Sequence, residues 1–270
     1  MKKMTNPEIQ NDILQILLEF DKFCKDNNLY YSLSGGTLLG AIRHKGFIPW
    51  DNDIDVCMPR PDYDRLIRTF PLIYKNRYRL RCFERGTFSK PFIKIVDQKT
   101  LVKEAHMEFS GEDALWIDVM PVDGLPDDKK ETASIYKKAK LLRSFGAYTS
   151  YQYDFYASVW WKKIFKPFVI FLFKLIGHKV FYDRLDKLGK KYPYDNFNYV
   201  GAITWGCYGV NEKMKKKEFE NSTVVEFEGH MFPAFSCWDK YLRNLYGDYM
   251  ELPPVEKRIS HQIEAYWKDE

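Results

Sequence analysis

The stretch Ser34-Gly35-Gly36-Thr37-Leu38-Leu39-Gly40, followed by Pro49-Trp50-Asp51-Asn52-Asp53-Ile54-Asp55-Val56, sets the fold and chemistry expected of this chain. The spacing predicts a glycine pair opening a helix, a short loop, and a strand with an acid at every second position. Strand side chains alternate between faces, so Asp51, Asp53 and Asp55 share one face while Ile54 and Val56 take the other. Same-face neighbours on a strand lie roughly 6.5–7 Å apart, close enough for adjacent carboxylates to converge on one or two hard cations. Asp is depleted in strands, so three on one face need compensation, and Mg2+ is the usual agent. A glycine pair between a strand and a helix N-terminus is a seat for a phosphate, because backbone N–H groups approach closely and the helix dipole favours an anion. Ser34, Gly35, Gly36 and Thr37 are therefore phosphate-binding candidates. A glycine pair alone is more often a simple turn. The acids beyond it raise its weight, since phosphoryl transfer needs both phosphate donors and carboxylate-held metal.

An EF-hand is the competing motif for Asp51, Asp53 and Asp55. It fails, because its sixth position must be glycine and here is Val56, and its twelfth is Asp62 rather than a bidentate Glu. A solvated acidic turn is the other alternative, and apolar Ile54 and Val56 argue against it. A further carboxylate is expected from Trp116-Ile117-Asp118-Val119-Met120-Pro121, where Asp118 is the lone charge in an apolar strand. A buried Asp is tolerated when it is paired or metal-bound, so a core salt bridge is the alternative there. Asp123 is read as the cap of the Gly124 turn.

Around these motifs the periodicity predicts an α+β chain with a mixed sheet flanked by helices. Thr5-x-x-Glu8 with Pro7 is a capping-box start, and Ile9, Ile13, Ile16, Leu17, Phe20, Phe23 and Cys24 follow at helical spacing up to Asn27-Asn28. Strands are expected at Leu29–Leu33, Ile54–Met58, Arg79–Phe83, Phe92–Val96, Leu115–Met120, Tyr199–Trp205 and Thr223–Phe227, the last ending in a Glu228-Gly229 turn. Helices are expected at Thr37–His44, Asp62–Tyr74, Asp127–Ser144 (anchored by Ile135, Leu141 and Leu142) and Ser236–Leu245. The expected organisation is a catalytic core over 1–148, a helical, basic-aromatic excursion over 149–192, and a C-terminal return to the core over 193–270.

The 270 residues carry a net charge of +5 and 17% aromatics, a mild balance that suits small anionic partners and shows no nucleic-acid-binding motif. Five dispersed cysteines without a CxxC pair argue against a disulfide framework or zinc knuckle. The N-terminal residues show no apolar signal core, and the expectation is a cytoplasmic protein. The segment Phe155–Gly177 is rich in Trp, Phe and Lys, yet its longest uncharged run, Pro167–Phe173, is far short of the about 20 residues a span needs. It reads either as an interfacial helix, with Trp160, Trp161, Lys162, Lys163 and Lys166 at headgroup level, or as a buried helix with a basic end.

Three runs together resemble one known family. Ser34 to Arg43 with Ile48 to Asp55, Ile117-Asp118-Val119-Met120-Pro121-Val122-Asp123-Gly124, and, in the C-terminal part, Phe227-Glu228-Gly229 with Leu245-Tyr246-Gly247-Asp248-Tyr249-Met250 leading to Leu252-Pro253-Pro254 are similar to the motifs of the LicD/fukutin phosphotransferases. The likeness runs from about residue 8 to 261 and is least clear over 149–192. It implies a nucleotidyltransferase-like fold, with Gly35-Gly36 as the turn and Asp53, Asp55 and Asp118 as catalytic, metal-holding acids for Mg2+ or Mn2+. It also implies transfer of phosphocholine from CDP-choline, or of a related group from another CDP-alcohol. The acceptor would be a sugar hydroxyl of a lipid-linked teichoic acid, lipopolysaccharide or capsule precursor, met at the inner face of the plasma membrane. Arg43 and Lys94 are candidates for phosphate charge. Trp50, Trp116, Trp205 and Tyr208 are candidates for a choline cage, and Asp51, Lys257, Arg258 and His261 for further substrate contacts. Two rivals remain: a DxD glycosyltransferase holding a nucleotide-sugar through the same acids, and a non-catalytic peripheral membrane or glycan-binding protein.

Overall fold

The computed structural model describes residues 1–104, 113–149, 171–258 and 263–268. A two-residue strand, β1 (Lys2–Lys3), leads into helix α1 (Asn6–Asp26). The Thr5 hydroxyl accepts from the Glu8 N–H at 3.4 Å, and the Glu8 carboxylate accepts from the Thr5 N–H at 2.7 Å, which closes the expected capping box. The apolar stripe Ile9, Ile13, Ile16, Leu17, Phe20, Phe23 and Cys24 is buried, as its periodicity requires. After α1 come β2 (Ser32–Leu33), α2 (Gly35–His44), β3 (Asp55–Pro59), α3 (Arg60–Thr69), β4 (Tyr78–Arg81), β5 (Ile93–Asp97), β6 (Thr100–Glu104) and β7 (Trp116–Leu125). Then follow α4 (Lys129–Tyr148), α5 (His178–Lys190), β8 (Tyr199–Gly201), β9 (Met214–Lys215), α6 (Lys216–Glu220), β10 (Ser222–Phe227), β11 (His230–Phe235), α7 (Trp238–Tyr246) and β12 (Ile263–Trp267).

The fold is α+β. Its main sheet has the order β2-β3-β7-β5-β4, and β8 and β9 extend it from the far half of β7. β3 and β7 are parallel, with Asp55 opposite Asp118; β5 is antiparallel to β7, with Lys94 opposite Asp118. Lys94, Asp118 and Asp55 therefore form a row across three neighbouring strands. A separate sheet of order β1-β12-β6 and the hairpin β10-β11 complete the strands. The hairpin turns at Glu228-Gly229 with both φ values positive, 49° and 73°, the backbone that the expected two-residue turn demands. The large core joins the sheet to α1, α2 and α3. A second cluster, with Leu125, Ile135, Tyr136, Tyr182 and Leu185, lies under α4 and α5.

Several expectations are corrected. β3 starts at Asp55, so Asp51 and Asp53 sit in the loop before it rather than on a strand face. Their stretch spends its backbone elsewhere: Asp51 N–H donates to Ile48 O at 2.8 Å, and Asp51 O accepts from the Gln10 side chain at 2.8 Å. β2 is two residues long, because Tyr30 N–H donates to Asp62 Oδ2 at 3.1 Å instead of to a strand. α3 stops at Thr69: Phe70 turns extended before Pro71, the usual effect of a proline on its predecessor. Asp123 caps no turn. It receives a bidentate Arg60 guanidinium at 2.7 and 2.9 Å, both groups are buried, and β7 runs on through Gly124 to Leu125. Tyr199–Trp205 is strand only to Gly201, and Leu141 points to solvent while Ile135 anchors α4. Strands β1, β6, β9, β11 and β12 were not anticipated. Among the described residues no helix is long and apolar enough to cross a membrane. Trp160, Trp161, Lys162, Lys163 and Lys166 lie outside the described residues.

Candidate active site

A cavity of about 550 Å³ opens over the Lys94–Asp118–Asp55 row, a size within the range of small-molecule sites. Ser34, Gly35, Gly36, Asp53, Asp55 and Asp118 are among its lining residues. Lys90, Lys94, Trp116 and Trp205 also line it, as do Tyr208, Glu212, Tyr241 and Tyr246.

Helix α2 is aimed at this cavity by local bonds. Ser34 N–H donates to Asp55 O at 3.1 Å, and Asp55 N–H donates to the Thr37 hydroxyl at 2.8 Å, so the helix start and the acidic strand are tied together. Thr37 is buried and serves this tie rather than lining the cavity. Gly35 has φ +53°, and a Cβ there would stand 3.4 Å from Asp55 Oδ2; a Cβ on Gly36 would stand 3.1 Å from Asp51 Oδ2. The glycine pair thus lets two carboxylates pack against a helix N-terminus, where the dipole favours negative charge.

Burial, then Asp53, Asp118 and Asp51, push the Asp55 carboxyl well above the usual carboxylate range, against the pull of Lys94. Burial likewise raises Asp118, opposed chiefly by Lys94. Lys94 Nζ lies 3.9 Å from Asp118 Oδ1 and 3.3 Å from the Trp116 ring centre. Asp118 Oδ1 is buried and accepts no hydrogen bond.

These observations test the expected metal. Among the described residues no three His, Cys, Asp or Glu side chains form a cation cage of their own. Mg2+ does not require one, since it keeps waters and binds through one or two carboxylates plus substrate phosphates. Two register-paired carboxylates, both raised by burial, one with an unbonded buried oxygen, fit a cation completed by a phosphate ligand.

The other candidates divide. Lys94, Trp116, Trp205 and Tyr208 reach the cavity; Arg43, Trp50, Asp51 and Arg258 are not among its lining residues. The Arg43 guanidinium donates to Tyr249 O at 2.7 Å and to the His44 ring at 2.9 Å. Arg258 stacks on Trp50 at 5.0 Å, so that ring carries a resident cation. Trp116 carries Lys94, and Trp205 carries Lys90 at 5.3 Å. His261 and the Lys257 side chain lie outside what is described. Lys90, Glu212, Tyr241 and Tyr246 are cavity residues that sequence reasoning missed. Glu212 ends a short 3-10 turn, Gly209–Glu212, with no periodic signal around it.

Residues 28–148 match the family LicD/FKTN/FKRP, nucleotidyltransferase domain. The chain is 33% identical over 271 residues to the lipopolysaccharide cholinephosphotransferase LicD of Haemophilus influenzae, covering 98% of this chain and 99% of that protein. Shorter matches reach uncharacterized proteins of Rickettsia typhi (32% identity, 26% of this chain and 22% of that protein) and Rickettsia prowazekii (36% identity, 22% of each). The protein is a transferase with a nucleotidyltransferase domain. It belongs to the LicD family.

Proposed function

We propose that this transferase moves phosphocholine from CDP-choline to a sugar hydroxyl on a lipid-linked surface-glycan precursor of the teichoic acid, lipopolysaccharide or capsule type. One observation supports the phosphotransferase reading: the Lys94–Asp118–Asp55 row and the glycine-opened N-terminus of α2 lie side by side in the lining of one cavity. The choice of choline is supported by full-length likeness to a protein named as a lipopolysaccharide cholinephosphotransferase.

The α2 N-terminus and the Lys90 and Lys94 ammonium groups draw the donor's pyrophosphate into the cavity. Asp55 and Asp118, with Asp53 in the same cavity lining, would hold Mg2+ or Mn2+ together with the donor's phosphate, and the cation would supply charge neutralisation on the phosphate oxygens. Asp118 is the proposed acceptor of the proton of the attacking sugar hydroxyl; burial holds its carboxyl above the ordinary carboxylate range. The hydroxyl oxygen bonds to the choline-bearing phosphorus, and the bond to CMP breaks. Lys94, held beside Asp118, balances charge gathering on the transferred phosphoryl group.

The acceptor places the reaction at the cytoplasmic membrane face. Phe171, Leu172, Leu175 and Ile176 are exposed, directly after the basic-aromatic stretch, and offer an apolar edge for peripheral docking.

The test is CMP release with CDP-choline, CDP-ethanolamine, CDP-ribitol, CDP-glycerol and UDP-sugars, each with and without Mg2+ and a glycan acceptor. Acceptor- and Mg2+-dependent CMP from CDP-choline is the expected result. Turnover of UDP-sugars with none of any CDP compound moves the protein to the DxD glycosyltransferases, whose acids do the same metal chemistry. Stable glycan binding with no turnover of any donor leaves a non-catalytic protein.

A further inference from the structure

The cavity lining carries a charge that the reaction above does not use. Glu212 is 6% exposed. Its carboxylate accepts from Tyr208 N–H at 3.2 Å and from the Tyr241 hydroxyl at 3.4 Å. It forms no ion pair with a described residue. Arg143, the cation whose field reaches it, spends its guanidinium on the carbonyls of Ile203, Thr204 and Gly206 at 2.8–3.2 Å. A buried, unpaired carboxylate is costly to keep ionised, so its place on a substrate cavity calls for a cationic ligand.

The rings beside it point to the kind of cation. Trp116 and Trp205 are covered by Lys94 and Lys90. Tyr208, Tyr241 and Tyr246 carry no side-chain cation among the described residues. The Tyr208 and Tyr246 rings meet edge to face, 5.2 Å apart at 76°, so that one presents a face beside the other's rim. A primary ammonium would need three acceptors around its N–H groups. A quaternary ammonium has no N–H, so it asks only for ring faces and a counter-charge. Glu212 can supply that counter-charge, because its two hydrogen bonds fix the carboxylate while its charge stays available across the cavity. Tyr208 and Tyr246 feel the charge of Asp55 as well as that of Glu212, so this wall and the acid row belong to the same cavity.

We infer that Glu212, Tyr208, Tyr241 and Tyr246 form an onium subsite that takes the trimethylammonium head of the transferred group and selects it over uncharged alcohols. The inference rests on the CDP-choline reading above and adds the residues that set its specificity. Burial lifts the Glu212 carboxyl to about 7, and a cation lying against it favours the ionised form.

The experiment is calorimetric titration of wild type and Glu212→Gln with CDP-choline, CDP-glycerol and CMP in the presence of Mg2+. Gln keeps the shape and one acceptor oxygen for Tyr208 N–H and removes the charge, and the Tyr241 hydroxyl can turn to accept from the new amide N–H. Tyr208→Leu is the second variant; that side chain is 43% exposed, so its loss does not threaten the fold. Each variant should weaken CDP-choline about tenfold and leave CMP and CDP-glycerol within about twofold, the scale of one lost cation–π or charge contact. Wild type that binds CDP-choline while both variants bind it equally well overturns the subsite and spares the donor reading. Equal weakening of CMP and CDP-choline puts Glu212 at the nucleotide and also overturns it. Wild type with no affinity for CDP-choline overturns the donor reading and the subsite together.

Discussion

Asp55 and Asp118 repel each other across two hydrogen-bonded strands, and Lys94 is the cation beside them. Chemistry and stability pull against each other at such a pair. Asp55→Asn and Asp118→Asn should each lower the rate of CMP release by at least about a hundredfold, the loss of a few kcal/mol of transition-state charge stabilisation. The melting temperature should hold or rise, because one of two crowded charges is gone. Wild-type turnover in either variant removes that acid from the mechanism. These residues were legible because a lone Asp in Trp116-Ile117-Asp118-Val119 has no structural excuse, and because acids alternated beside a glycine pair. Glu212 and Lys90 were not legible. Each reaches the cavity through a fold that brings distant segments together, and nothing in their own neighbourhoods marks them.

Among the elements, α2 depends most on its first two residues. Gly36→Ala places a methyl 3.1 Å from Asp51 Oδ2 without asking for a positive φ. Its effect should fall on turnover more than on stability. Gly35→Ala asks for φ +53° as well and should cost about 1 kcal/mol of stability, read from a urea midpoint. A second joint ties α1 to the sheet: Arg77 meets Asp12 at 2.5 Å and Asp97 at 2.6 Å. Burial, then Asp97, raise the Asp12 carboxyl to about 7 from its ordinary 3.8. The folded state therefore holds this proton more tightly than the unfolded chain. The resulting stability is present in full below about pH 4 and is lost as pH rises through about 7, on the order of 4 kcal/mol. Asp12→Asn should flatten the slope of the urea midpoint between pH 5 and 8; an unchanged slope refutes the assignment. Helix α1 was legible end to end because its cap, stripe and stop agree. Strand lengths were not, since a strand ends where its backbone donors find other partners, as Tyr30 does on Asp62.

At the scale of the whole molecule, the exposed Phe171, Leu172, Leu175 and Ile176 follow a sequence run bearing Lys162, Lys163 and Lys166. Each lysine near an anionic surface contributes on the order of 1 kcal/mol, so three give weak, salt-sensitive attachment. Triple replacement of these lysines by Glu should release the protein from anionic liposomes at low salt and leave CMP release from soluble acceptors unchanged. Wild type that fails to bind such liposomes refutes the docking idea. The general architecture was legible because acids, glycines and apolar stripes each obey local rules. The three-strand row joining residues 94, 118 and 55 was not, because register is a property of the assembled sheet. In the proposed reaction this row transfers a phosphocholine group. Mass spectrometry of a glycan acceptor after incubation with CDP-choline, Mg2+ and the wild-type protein tests it most directly. One phosphocholine gained per CMP released, and none with Asp55→Asn, is the predicted result; CMP release with an unmodified glycan, or a glycan that gains sugar from a UDP donor instead, contradicts it.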